Sequence, residues 1–198
     1  FEPTDDIVIT PRLVYQEIRV DGFNRQEVFN LFANPFTTTR TAVTFNEREQ
    51  FLLLDEEFRD DTLLADLTMS FDFGGVELTS VSTYINRDIL VGRDASALTG
   101  SVSVDLGFPA AAVLLPSNLV DTTDLETFSQ EVRLSSRASG PFQWVIGAFY
   151  SEVDRFYRQR LPTPGYDAAT AATLGAGTSV AVRHGFPANS PYNSALPS

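Results

Sequence analysis

Between Leu63 and Phe73 the side chains alternate in polarity with a period of two. The odd positions are Leu63, Ala65, Leu67, Met69, Phe71 and Phe73, and the even positions from 66 onward are Asp66, Thr68, Ser70 and Asp72. A helix would place Asp66 and Ser70 on one side with Leu63 and Leu67, whereas a strand separates them. The segment is therefore predicted to be a β-strand with one apolar and one polar face.

Two hairpins follow from the same pattern. Gly74-Gly75 tolerates the positive φ angles of a two-residue turn, and the β-branched stretch 76–91 returns after it. A second alternating segment, 124–136, is followed by a turn and by a strand predicted to cover 142–158. Near the N-terminus 7–20 also alternates, and Pro11 predicts a bulge there because proline donates no ladder hydrogen bond.

The sequence thus predicts one all-β domain over 1–198, with five antiparallel up-and-down strands. The predicted strands are 7–20, 61–73, 76–91, 124–136 and 142–158, and the long loops are 21–60, 92–123 and 159–198. Short turns on one rim and long loops on the other are typical of transmembrane β-barrels, whose strands need ~9–11 residues to cross the bilayer. Aromatic residues near the strand ends fit two interfacial girdles or, alternatively, a filled core.

Composition excludes several classes of function. The net charge of -12 disfavours nucleic acid as a partner, because phosphate binding needs a basic surface. With no cysteine and one histidine, the chain offers no disulfide framework and no two-histidine metal site. No apolar run is long enough for a transmembrane helix, and the first residues do not look like a signal peptide. We expect no enzyme activity and no cofactor.

Two strings resemble a known family. Val76-Glu77-Leu78-Thr79-Ser80-Val81-Ser82-Thr83-Tyr84 is similar to a strand of TonB-dependent outer-membrane receptors. The segment 128–136, FSQEVRLSS, followed by 140–150, GPFQWVIGAFY, resembles a hairpin of the same receptors. The resemblance covers about 1–158 and consists of strand patterns, with no catalytic motif among them.

The resemblance implies a middle portion of a larger barrel in a bacterial outer membrane. Five strands do not close a barrel, so the remaining strands and an internal plug are expected from the same gene or another chain. Other implied partners are membrane lipid, the TonB complex through a missing N-terminal region, and a scarce nutrient such as an iron chelate, cobalamin or an oligosaccharide. The alternative is a soluble or surface-attached β-sheet module for binding or assembly, with no transport role.

Alternation gives the candidate site residues. The positions predicted to line the lumen are Arg12, Gln16, Asp66, Asp72, Glu131 and Arg133. In a receptor barrel, residues at such positions are expected to hold the plug or to line the substrate path. The alternative is a solvated wall that makes no direct contact with a ligand. In the first long loop, Phe29, Phe32 and Phe36 are candidates for ligand capture, although packing of the loop explains them equally well.

Two further features receive simpler explanations. The acidic run 55–61 lacks EF-hand spacing, so a solvated loop is expected in preference to a calcium site. His184 is expected to be a surface residue of the last loop and not a haem or metal ligand.

Overall fold

The computed structural model describes residues 1–22, 52–137 and 140–175. Five strands form one open antiparallel sheet in the order of the sequence. The strands are β1 (Ile7–Asp21), β2 (Glu57–Asp72), β3 (Val76–Asp94), β4 (Asn118–Ser136) and β5 (Val145–Arg160). The predicted number, order and direction of the strands are therefore confirmed.

The connections differ from the prediction. The loop predicted over 92–123 holds two helices, α1 (Ser96–Asp105) and α2 (Ala110–Val113), and the loop predicted from 159 holds α3 (Tyr166–Leu174). Strands β2 and β4 begin earlier than predicted, whereas β5 begins at Val145 and leaves Phe142 and Trp144 outside it. Runs of Ala, Ser and Thr give no strong periodic signal, which explains why the helices were missed.

Strand β1 continues through Pro11 without interruption, so the predicted bulge is not needed. Ile9 exchanges backbone hydrogen bonds of 2.8 and 2.9 Å with Phe1, on the side of β1 away from β2. Groups two residues apart on a strand point the same way, so the nitrogen of Pro11 also faces away from β2. The ring therefore removes no hydrogen bond of the β1–β2 ladder.

The chain divides into two compact units. The first unit comprises 1–18, 59–89 and 123–157, and it holds the main part of the sheet. The second comprises 19–58, 90–122 and 158–198, and its described part holds the helices. In the second unit Phe108, Ala112 and Tyr166 form the buried cluster, with the two rings edge to face at 6.1 Å between centroids.

Asp94 ties the second unit together. Its carboxylate accepts hydrogen bonds from the backbone N–H of Leu53 and Leu54 and from both the N–H and the hydroxyl of Ser96. The Ser96 hydroxyl in turn accepts the N–H of Ser117 at 3.0 Å, and Ala95 N–H donates to the Ser117 carbonyl. The helical connection 95–117 is thereby closed at its base.

Side-chain contacts define the two faces of the sheet in the first unit. Arg12 pairs with Asp66, and Arg137 pairs with both Asp72 and Glu77. We call this side the ion-pair face; alternation assigns to it the even residues of β1 and β2 and the odd residues of β3, β4 and β5. The opposite side is called the apolar face.

Gly147 marks a close approach of β4 and β5. A Cβ there would lie 2.8 Å from the Val132 carbonyl oxygen and 3.1 Å from Arg133 Cγ. We expect Gly147→Ala to lower the free energy of unfolding by about 1–3 kcal/mol, because backbone must move to admit the methyl group. Gly75→Ala is the matched control, since nothing lies within 4 Å of its Cβ position. Denaturant unfolding followed by tryptophan fluorescence measures both, and equal stabilities would contradict the expectation.

Candidate functional site: two chemically distinct faces of one sheet

The apolar face carries a continuous run of apolar or aromatic side chains on β1 and β2. These residues are Ile7, Ile9, Pro11, Leu13 and Tyr15, facing Phe71, Met69, Leu67, Ala65 and Leu63. The same face continues on the other strands with Val76, Leu78 and Tyr84, with Leu134, Val132 and Phe128, and with Ile146, Ala148 and Tyr150. Leu13, Tyr15, Ile146 and Tyr150 are more than half exposed. Within residues 1–22, 52–137 and 140–175, a large apolar surface is therefore left uncovered.

This surface ends abruptly toward one end of the strands, the end at which the long connections after β1, β3 and β5 begin. The apolar run ends at Tyr15, Leu63, Tyr84, Phe128 and Tyr150, and beyond it Leu90, Val120 and Phe156 are separate apolar residues on the same face. The next residues on the same face are Glu17, Asp61, Asn86, Glu126 and Glu152. Two of the tyrosines reach across this boundary, because the Tyr84 hydroxyl donates to Glu126 at 2.9 Å and that of Tyr150 donates to Glu152 at 3.0 Å.

The boundary is slanted relative to the strands. Backbone hydrogen bonds from Asp72 to Asp6, Phe73 to Val76, Arg137 to Gly75 and Ser136 to Trp144 give the register of all four strand pairs. In this register the boundary shifts by four residues in total from β1 to β5, toward the end of the sheet that carries the Gly74-Gly75 turn. The average shift of the boundary is one residue for each pair of neighbouring strands. This is about 3.3 Å along a strand for a spacing of about 4.8 Å between strands, which corresponds to a slope of about 35°.

The ion-pair face brings together most of the residues predicted to line a lumen. Arg12 Nε donates to Asp66 at 2.5 Å, and Arg133 lies 3.0 Å from Glu131 on the same strand. Asp72 binds Arg137, and alternation places Gln16 on this face as well. The role of these six residues as lumen-lining groups stays a prediction.

Sequence reasoning missed the most deeply buried ion pair of this face. Asp60 is 3 % exposed and accepts three hydrogen bonds from Arg87 and one from Thr62. The Arg87 guanidinium holds the pKa of Asp60, which precedes the apolar run of β2, below its usual value. Alternation extended back from Asp66 through Leu64 and Thr62 would have placed Asp60 on this face.

The acidic run 55–61 is correspondingly not a solvated loop. Glu57 to Asp61 belong to β2, and both Glu56 and Asp60 are buried. Within residues 1–22, 52–137 and 140–175, no group of three or more metal-ligating side chains is assembled. The acidic character of the run concealed its position in a strand, since buried carboxylates are rare without partners.

A small polar cluster interrupts the apolar face. Gln130 Nε2 donates to Ser80 Oγ at 2.9 Å, and Ser82 Oγ donates to Gln130 Oε1 at 2.5 Å. Strands β3 and β4 therefore satisfy each other's polar groups at this point. We call these three residues the Gln130 cluster.

Two predictions fall on residues outside the described part of the chain. These are the capture residues Phe29, Phe32 and Phe36 and the surface histidine His184. They stay predictions.

Comparisons with known proteins add no identification. A scan against protein-family models and searches of curated proteins and of solved structures each gave no match. Within the described ranges, no helix combines the length and the apolar character needed to cross a membrane.

The Asp60–Arg87 pair should contribute measurably to stability. We expect Arg87→Gln to lower the free energy of unfolding by about 1–3 kcal/mol, because it leaves a buried carboxylate without its charge partner. Arg133→Gln is the control and should cost less than about 1 kcal/mol, since Arg133 and Glu131 are both well exposed to solvent. Denaturant unfolding at pH 7 compares the two, and similar losses would contradict the role of Asp60 burial.

Proposed function

We propose that the sheet is part of the wall of a TonB-dependent receptor in a bacterial outer membrane, with the apolar face against lipid. The observation that carries the proposal is the slanted boundary of that face. Strands of such barrels are tilted by ~35–45°, so a horizontal membrane surface crosses neighbouring strands at successively shifted residues. The observed shift corresponds to about 35°.

The height of the apolar run on β1 supports the same proposal, whereas on β5 the run from Ile146 to Tyr150 covers half as many residue steps. From Ile7 to Tyr15 there are eight residue steps, about 26 Å along the strand and about 22 Å after correction for the tilt. Outer-membrane barrels have an apolar band of ~25 Å flanked by aromatic girdles. Tyr15, Tyr84, Phe128 and Tyr150 would form the girdle on the side of the long connections.

The charged pairs of the ion-pair face suit a water-filled interior, whereas Val145, Phe149 and Val153 are exposed apolar residues on the β5 part of the same face. Arg12, Arg87, Arg133 and Arg137 on this face are paired with carboxylates, and such pairs are stable beside water but costly against lipid. In the proposed receptor this face lines the lumen and contacts the plug or the substrate path. The open edges at β1 and β5 are then completed by further strands, because unpaired backbone groups are costly in lipid.

Spin labels at two adjacent positions test the membrane assignment. The chain has no cysteine, so Leu67→Cys on the apolar face and Thr68→Cys on the ion-pair face each give one labelling site in these residues. In outer membranes containing the complete protein, we expect label 67 to be relaxed mainly by dissolved oxygen and label 68 mainly by a water-soluble nickel chelate. A label at 67 that responds to the nickel chelate would contradict the proposal.

A second candidate is a soluble or surface-attached β module, and the Gln130 cluster favours it. Polar groups on a lipid-facing surface are uncommon, whereas they are ordinary where two protein surfaces meet. Under this candidate the apolar face is covered by protein. Label 67 would then be shielded from both oxygen and the nickel chelate, which distinguishes the two candidates in the same experiment.

The proposed activity is energy-coupled uptake of a scarce nutrient, with no catalytic residue required in this part of the wall. A ferric hydroxamate, cobalamin and a short maltose oligomer, each radiolabelled, cover the implied nutrient classes. Deletion of the gene should lower uptake of one of the three about tenfold or more, since porins pass large solutes poorly. Disruption of TonB should have the same effect, and unchanged uptake of all three would count against this activity.

A further inference from the structure

The pairing of β3 with β4 is not fixed by a tight turn. Gly74-Gly75 joins β2 to β3, so the register of this hairpin is set locally, and the hydrogen bond from Ser136 N to the Trp144 carbonyl pairs β4 with the residue before β5. Strands β3 and β4 are joined by residues 95–117, which contain α1 and α2. A slip of two residues between them would keep every side chain on its present face, so alternation does not exclude it.

The observed register places Ser82 directly opposite Gln130. The hydrogen bond of 2.9 Å from Arg137 N to the Gly75 carbonyl identifies 75 and 137 as a hydrogen-bonded pair. Counting along the ladder, 82 and 130 form a non-hydrogen-bonded pair, in which side chains approach most closely. Ser80, the second partner of Gln130, lies diagonally, on the side toward the β2–β3 turn.

The contact between Arg137 and Glu77 is also diagonal, but it is offset along the strands in the direction opposite to that of Gln130 and Ser80. Arg137 binds Glu77, which lies diagonally from it toward the long connections, and the same guanidinium binds Asp72 at the end of β2. Arg137, the residue after β4, therefore joins β2 and β3 beside the Gly74-Gly75 turn.

We infer that the Gln130 cluster and the Arg137 contacts help to set the register of β3 against β4, each opposing a slip in one direction, alongside the Tyr84–Glu126 and Arg93–Asp121 contacts between the same strands. If 136 moved opposite 78, Gln130 would face Tyr84 and lose Ser80, while Arg137 would still reach Glu77. If 132 moved opposite 78, Gln130 would keep both serines, while Arg137 would lose Glu77 and Asp72. Only the observed register satisfies both sets of contacts. The inference holds whether the apolar face meets lipid or protein, so it is independent of the proposed function.

Cysteine cross-linking distinguishes the three registers. In the complete protein, Leu78→Cys is combined in turn with Leu134→Cys for the observed register and with Ser136→Cys or Val132→Cys for the two slipped ones. Residues 78 and 134 form a non-hydrogen-bonded pair, with a Cα separation near 4.5 Å that suits a disulfide. Cross-linking after mild oxidation should therefore be highest for the 78–134 pair in the otherwise unchanged chain.

Loss of each contact should allow β4 to slip along β3 in a different direction. We expect Gln130→Leu to raise cross-linking of the 78–136 pair, and Arg137→Gln to raise that of the 78–132 pair, each about fivefold from the loss of one hydrogen-bonding group. Arg133→Gln is the control and should change neither pair, because Arg133 binds Glu131 on its own strand.

Two variants that change side-chain volume only slightly test whether a slip results from the lost contact and not from misfolding. Ser80→Ala should reproduce the effect of Gln130→Leu, and Glu77→Gln that of Arg137→Gln, with little change in volume. Cross-linking confined to 78–134 in all four variants would overturn the inference. So would a slip in one common direction, or a slip produced only by Ser96→Ala, which would assign the register to the base of the helical connection.

Discussion

The antiparallel register of the sheet is the constraint on which the other features depend. It places Arg12 beside Asp66 and Arg137 beside both Asp72 and Glu77, and it separates all of these from the apolar face. A slip of one residue in any strand would exchange its two faces and put charged groups among apolar ones. The slanted boundary of the apolar face exists only in this register, since it is a comparison of positions on neighbouring strands.

Alternation was a sufficient signal for the strands and for their faces. It works for β2 because Ala65 to Phe73 alternates without exception, and the tight turn after Phe73 follows from two glycines. Alternation does not predict which side chains pair between strands. Asp60 and Arg87 are far apart in sequence, and nothing in either strand alone indicates that they meet. The helices were missed because Ala, Ser and Thr dominate them, and their stability comes from packing around Phe108 and Tyr166.

Charge is distributed unevenly over the first unit, and this distribution refines the meaning of the acidic composition. On the ion-pair face Arg12, Arg87, Arg133 and Arg137 balance nearby carboxylates. On the opposite face the residues that follow the apolar surface are almost all acidic. Part of the acidic character of the chain, whose net charge is -12, therefore lies at one end of the strands on the apolar face.

The slope of the apolar boundary also determines how much perimeter each strand occupies. A strand spaced about 4.8 Å from its neighbour and inclined by about 35° takes up about 5.9 Å of circumference, so five strands supply about 29 Å of arc. A cylinder with that circumference would be about 9 Å across between backbones, too narrow for its own inward side chains. In the proposed barrel, the arginine and carboxylate pairs of the ion-pair face need a cross-section several times larger, so the proposal requires many more strands than these five.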